Sequence, residues 1–278
     1  MMQEFVPPIT LPDGYIDFYK DLETWQYQLI VRLKKGISHE TIDALPLLQQ
    51  RQPLLDIVNF ELDIDKYRAA FADLTQHLIA QHAQTKEKAE KLHSITEKLD
   101  LPLLIDRLMS GDLTYFARVE QEIGVARDML LFVTDHSLRP FLRLFAYPYQ
   151  ESLANDTGLH WDQGICPVCG ARPVLARVRS EDGKRFLFCE HCFTEWPYKY
   201  LACTNCGNEE VGTIKYFTLE GDEANQIFVC DKCKGYIKTY DERRSQSKTD
   251  LYIASVATVY LDMVAQREGY GLDEEALN

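Results

Sequence analysis

The sequence predicts an α+β chain: an all-helical N-terminal domain, two tandem four-cysteine metal modules of the ribbon type, and a C-terminal helix. Three observations predict it. Apolar residues over the first 160 positions recur at helical spacing, and cysteine is absent there. All eight cysteines lie in Cys-x-x-Cys pairs, Cys166/Cys169, Cys189/Cys192, Cys203/Cys206 and Cys230/Cys233. The cysteine region is also duplicated. CPVCG, VLARV, KRFLF and CEHC in the first half answer to CTNCG, GTIKYFTL, NQIFV and CDKC in the second. Each half reads as knuckle, strand, acidic turn, strand, knuckle. The expected division is a helical domain over 1–160, modules over 161–201 and 202–241, and a closing helix with an acidic tail over 248–278.

The helical part follows from punctuation as well as periodicity. Asp13-Gly14 opens a helix marked by Ile16, Tyr19, Leu22, Leu29 and Leu33, which Lys34-Lys35-Gly36 closes. Ser38 can cap a short helix through Leu48, and Gln52-Pro53 marks a break. Tyr67, Phe71, Leu74, Leu78, Leu92, Ile95 and Leu99 mark one or two long helices, with QHAQTKEKAEK as a solvated face or a turn. Pro102 restarts a helix that ends at Ser110-Gly111, and Asp112 caps another running to Gly124. Ala126–Val133 and Leu138–Phe145 are apolar, with TDHS between them read as a break. These elements suit a helix bundle. The closing helix is expected from Thr249 to Arg267.

Composition bounds the function. A chain of 278 residues can hold one large core or two domains. The net charge is −13, with 16 Lys/Arg against 24 Asp/Glu in residues 1–160 and 10 against 11 in residues 161–240. No segment is basic, so the electrostatic footprint of a nucleic-acid binder is missing. MMQEFVPPITLPDGY does not read as a secretory signal, and no run of 18 apolar residues occurs. A cytoplasmic protein without membrane insertion is expected, and in that compartment eight cysteines are not structural disulfides.

Metal binding is the favoured reading of the pairs. Two knuckles supply a tetrahedral S4 cage that suits zinc or iron equally. The intervals between knuckles, 19 and 23 residues, bracket the ribbon spacing. Pro167 fits the second position of a turn, and Gly170 and Gly207 can take positive φ just after a second ligand. A module of roughly 30 residues is too small to stand without a metal or disulfide. Dithiol redox chemistry wants one pair at a helix N-terminus, not four pairs flanking hairpins. The duplication favours sequential sites: Cys166, Cys169, Cys189 and Cys192 for one metal, and Cys203, Cys206, Cys230 and Cys233 for the other. An interleaved cross-brace is the alternative. The seven histidines are scattered, and His191, inside a knuckle, reads as exposed rather than coordinating. Phe193, Trp196, Tyr198 and Tyr200 sit between the sites. They could form a partner-binding surface or a base-stacking platform, but without interleaved basic residues packing between the ribbons is favoured over stacking. No phosphate loop, HExxH motif or Ser/His/Asp order is present, so no catalytic residue is assigned.

The motif order resembles the formate dehydrogenase accessory protein FdhE family. It comprises WDQGICPVCG, GKRFLFCEHCFTEW, CTNCG and CDKC, with RQPLL near Arg51, HSLRPFLR near Pro140 and the closing LDMVAQREGY. The resemblance implies a helical domain followed by two rubredoxin-like metal modules. It further implies a non-catalytic cytoplasmic role, in which the protein binds the catalytic subunit of respiratory formate dehydrogenase and is needed for its activity. Two metal ions are implied, iron in that family, held by the eight cysteines. Rubredoxin has glycine after both knuckles, whereas Phe193 and Lys234 stand after the second knuckle of each module here, which argues against a redox-active iron. A zinc-ribbon nucleic-acid binder and a rubredoxin-like electron carrier are the competing readings.

Overall fold

The computed structural model describes residues 7–34, 41–154, 161–245 and 249–271. Its helices before the sheet are α1 (Tyr15–Leu33), α2 (Leu45–Leu48), α3 (Leu54–Ile57), α4 (Ile64–Gln81), α5 (Lys86–Ile95), α6 (Leu101–Met109), α7 (Leu113–Ile123), α8 (Arg127–Ala146) and α9 (Gln150–Ala154). The strands are β1 (Leu175–Val178), β2 (Arg185–Phe188), β3 (Glu195–Tyr198), β4 (Ile214–Leu219), β5 (Asp222–Cys230) and β6 (Tyr236–Asp241). Helices α10 (Leu251–Ala257) and α11 (Val259–Arg267) follow. Ser38, Lys35, Gly36 and residues 155–160, where the helical domain was expected to end, lie outside the described residues, as does the acidic tail from 272.

The described residues form two compact units. One is drawn from Asp21–Ile37 and Phe60–Leu144, the other from Met1–Lys20, Ser38–Asn59 and Phe145–Asp273. The division therefore differs from a single cut at residue 160. The short helices α3 and α9 belong with the cysteine region because their backbone or side chains bond to it, and the Ala44 N–H at the start of α2 donates to Ser152 Oγ of α9 at 3.1 Å. Leu54 and Leu55 N–H donate to the carbonyls of Pro167 and Val168 at 2.8 Å each, and Gln150 Nε2 donates to the Cys192 carbonyl at 3.2 Å.

The helical unit buries Trp25, Tyr67, Phe71, Leu74, Leu78, Leu104, Phe116, Leu130 and Val133, the apolar faces of α1, α4, α6, α7 and α8. Its starts are capped by aspartates. The side chains of Asp63, Asp100 and Asp112 accept from the backbone N–H three residues on. Gly124, at φ 65°, ends α7 in the left-handed conformation.

The break expected at TDHS does not occur, and α8 runs unbroken through it. Thr134, His136 and Ser137 there are buried, and Thr134, Asp135 and His136 find partners within the protein instead of water. Thr134 Oγ1 donates to the Leu130 carbonyl at 2.7 Å, and Arg139 grips Asp135 at 2.6 Å. Pro140 has no N–H for the His136 carbonyl one turn back. Gln26, fully buried on α1, supplies it: Nε2 donates to that carbonyl at 3.0 Å.

In the other unit the six strands form one sheet in the order β3-β2-β1-β6-β5-β4. Each module is a three-stranded antiparallel meander, and a parallel pairing of β1 with β6, Leu175 opposite Lys238, joins them. The sequence showed two strands per module; the third, β3 or β6, follows the second knuckle. Pro197 obscures β3, and it is tolerated because β3 is an edge strand. Two helices cover one face where a single one was expected. Tyr252, Ala254 and Val256 of α10 pack with Leu175 and Phe188 of the first module. Tyr260, Leu261, Val264 and Ala265 of α11 pack with Ile227 and Val229 of the second. The interruption falls at Thr258, whose hydroxyl bonds the Ala254 carbonyl at 2.7 Å. Lys238 of β6, nearly buried, donates to the Ser255 carbonyl and to Asp262 at 2.6 and 2.7 Å.

Candidate metal centres

All four knuckles have the same backbone design. The N–H of the residue after the second cysteine donates to the carbonyl of the first: Gly170 to Cys166, Phe193 to Cys189, Gly207 to Cys203 and Lys234 to Cys230, at 2.8–3.0 Å. The first cysteine's N–H in turn donates to the carbonyl five residues on. Closing so tight a loop puts the residue after the second cysteine in the left-handed region. Gly170 and Gly207 lie at φ 76° and 69°, and Phe193 and Lys234 adopt the same conformation at 58° and 57° without being glycine. The loop turns N–H groups toward sulfur. Val168 N–H points at Cys166 Sγ, Asn205 N–H at Cys203 Sγ and Gly235 N–H at Cys233 Sγ, each at 3.4 Å.

The fold brings the cysteines together in two sets, Cys166, Cys169, Cys189 and Cys192, and Cys203, Cys206, Cys230 and Cys233. Within each set the sulfurs lie within 4.8 Å of one another. The cross-knuckle pairs Cys166–Cys192 and Cys169–Cys189 are both 3.5 Å apart, Cys203–Cys233 3.6 Å and Cys206–Cys230 3.9 Å. A tetrahedron with metal–sulfur bonds of about 2.3 Å has an edge of about 3.8 Å, whereas a disulfide needs about 2.05 Å. The donor sets therefore fit a four-coordinate metal, zinc or iron, and not disulfides. Electrostatics agrees. Burial pushes the Cys166 thiol up, and its three sulfur neighbours push it further. At Cys192 burial also opposes ionisation, but hydrogen bonds from the thiols of Cys166, Cys169 and Cys189 and from the Thr194 hydroxyl outweigh it and hold the thiol low. Four thiolates in one pocket require a cation between them.

The two sets differ in cover. All four cysteines of the first are buried, whereas Cys206 is exposed and Cys233 half-buried. Asn205 and Asn208 supply side-chain amides toward Cys233 and Cys230 at 3.5 and 3.6 Å, where the first set has the Thr194 hydroxyl 3.1 Å from Cys192 Sγ. His191 is half-buried and belongs to neither set.

The aromatic segment is mostly interior. Trp196 is fully buried on β3, and Tyr198 is buried with its hydroxyl donating to the Cys203 carbonyl at 3.0 Å. Phe193 packs on Phe188 and Tyr252, and Tyr200 meets Phe228 edge to face. Trp196 and Tyr198 thus pack the sheet rather than line a surface. Arg185 does the joining that sequence reasoning missed. Fully buried on β2, it donates through Nη1 to the carbonyls of Tyr200 and Ala202, and its guanidinium lies over Phe228 of the second module, 4.9 Å from the ring centre. Burial pulls its pKa down to about 10. Its signal was present in GKRFLF, as a charge inside a strand.

Comparison with known proteins agrees with this architecture. Residues 165–199 match the FdhE central domain and residues 201–277 the FdhE C-terminal domain. The chain is 32% identical over 216 residues to the protein FdhE homolog of Aquifex aeolicus (strain VF5), which covers 76% of this chain and 69% of that one. It is 36% identical over 112 residues to the homolog of Shewanella baltica (strain OS185), and 34% identical over 109 residues to protein FdhE of Escherichia coli O1:K1 / APEC. Those alignments span 39% and 38% of this chain and 36% and 34% of the relatives. The fold is similar to the crystal structure of the FdhE protein from Pseudomonas aeruginosa, with a TM-score of 0.65 over 96% of this chain and 89% of that chain at 18% identity. With the paired-cysteine knuckles, the two matching domains and 32% identity over 69% of a relative's length in agreement, the chain belongs to the FdhE family.

Proposed function

We propose that this protein is a non-catalytic cytoplasmic accessory factor. It binds the catalytic subunit of a formate dehydrogenase during maturation and is needed for that enzyme's activity. Membership of the FdhE family, joined to two closed four-cysteine sets in one sheet, carries the reading. The eight cysteines hold two metal ions, zinc or iron. A closed S4 site has no open coordination position, so its contribution is to fix a surface rather than to activate water. No described helix is long and apolar enough to cross a membrane. The exposed apolar side chains of Leu201, at the end of the first module, and of Val211 and Tyr216 in the second are better placed for a partner than the buried aromatics.

Deleting the gene should lower or abolish formate dehydrogenase activity while its subunits are still made. Replacing Cys166 and Cys169 by Ser should leave one metal per chain, reproduce the defect and weaken co-purification with the catalytic subunit. Retention of both metals by that variant would contradict the sequential sites. Unchanged enzyme activity in the deletion strain, or binding of nucleic acid at physiological salt with no affinity for any formate dehydrogenase subunit, would overturn the function.

A further inference from the structure

We propose that Asp21, His77 and His82 form a third metal site, for a divalent transition ion such as zinc, in the helical unit and independent of the cysteine centres. His77 lies four residues before the end of α4, and His82 is the first residue beyond it. On a continuing helix, positions five apart would point about 140° away from each other. The chain leaves helical geometry at His82, with φ −128° and ψ 90°, and this exit turns its ring back beside that of His77, 5.9 Å between centroids. Both Nε2 atoms then converge on a single oxygen of Asp21 from α1, at 2.6 and 2.8 Å. The three donor atoms lie within 4.8 Å of one another.

Two imidazole nitrogens and a carboxylate oxygen make a donor set of borderline softness, suited to zinc and its first-row neighbours and unlike the S4 cages. The present separations accommodate shared protons. Ligand bonds of about 2.0–2.2 Å need donors about 3–3.5 Å apart, so loading requires the Asp21 oxygen to draw back by up to about 1 Å from its present contacts of 2.6 and 2.8 Å. The two histidine side chains are 21% and 14% exposed and the aspartate 39%, so the protein ligands come from one side and water can complete the shell from the other. Burial raises the Asp21 carboxyl, but the hydrogen bonds from His77 and His82 outweigh it and keep the group ionised, as a ligand must be. The ring of Trp25, nearly buried and 6.5 Å from that of His77, gives an apolar wall.

The test uses the full chain with both cysteine sites filled by zinc. Further zinc is added by equilibrium dialysis up to about 1 mM, a range that still captures weak sites. A third, saturable equivalent is expected. His77→Gln, His82→Gln and Asp21→Asn should each weaken it at least tenfold while the first two equivalents stay, and His93→Gln, a histidine bonded to Thr75 outside the cluster, should leave it unchanged. Far-UV circular dichroism identifies any variant that fails to fold, and the other two then decide. Absence of a third equivalent, or its persistence in the folded cluster variants, would overturn the site and leave an ordinary ion-pair cluster.

Discussion

Helix α8 contains a proline whose missing hydrogen bond is replaced from another helix, and that replacement can be measured. Gln26 Nε2 donates to the His136 carbonyl at 3.0 Å and meets His136 Nδ1 at 3.1 Å, while Gln26 Oε1 accepts from Arg143 Nη2 at 2.8 Å. Replacing Gln26 by Leu takes a donor from the carbonyl that Pro140 cannot serve. A buried carbonyl deprived in this way costs about 1–3 kcal/mol. Arg143 loses an acceptor too, but it retains Glu23 at 4.0 Å. The whole cost should be about 2–4 kcal/mol. The second variant separates this account from simple loss of packing. In Gln26→Leu/Pro140→Ala, residue 140 regains an N–H that can reach the His136 carbonyl, so the double variant should recover about 1 kcal/mol relative to additivity. Urea denaturation of the metal-loaded chain gives the free energies, and amide hydrogen exchange along α8 locates them. Additivity within about 0.5 kcal/mol would refute the replacement.

Chelator should empty the second cysteine site before the first, because Cys206 is exposed whereas every cysteine of the first set is buried. Metal release followed with a colorimetric chelator on wild type and on Cys-to-Ser variants of each site assigns the phases; equal rates or the reverse order would contradict the role given to burial. The two non-glycine knuckle residues should respond oppositely to glycine. Lys234→Gly relieves left-handed strain of about 1 kcal/mol at an exposed position and should raise thermal stability slightly. Phe193→Gly relieves the same strain but removes the ring packed on Phe188 and Tyr252, a loss of about 2 kcal/mol or more, so it should lower stability. Shifts of the same sign would show that packing does not decide between them.

What was legible in the sequence was local. A knuckle closes within six residues, from Cys166 to Ala171, and its spacing, its glycines and its duplication all lie on the line of text. So do the aspartate caps of α4, α6 and α7. The helix break at TDHS was misread because polarity signals solvent unless a partner distant in sequence satisfies it, and Gln26 lies 110 residues from His136. The Asp21 cluster was hidden for the same reason, with His77 and His82 lying 56 and 61 residues beyond it.

The shared sheet shows most plainly why duplication can mislead. Two copies of a motif suggest two independent modules, yet each three-stranded meander has an edge whose backbone groups need partners. Here β1 and β6 give each other those partners over Leu175–Val178 and Lys238–Asp241, pairing strands that occupy different places in the two repeats. Arg185 and the helix pair α10–α11 then span both halves, through Phe228, Phe188 and Val229. A metal lost from one site therefore weakens strands that are the other site's neighbours. The cooperative element in this region is the six-stranded sheet with its covering helices, and the two sets of cysteine knuckles act as staples at the turns of one structure.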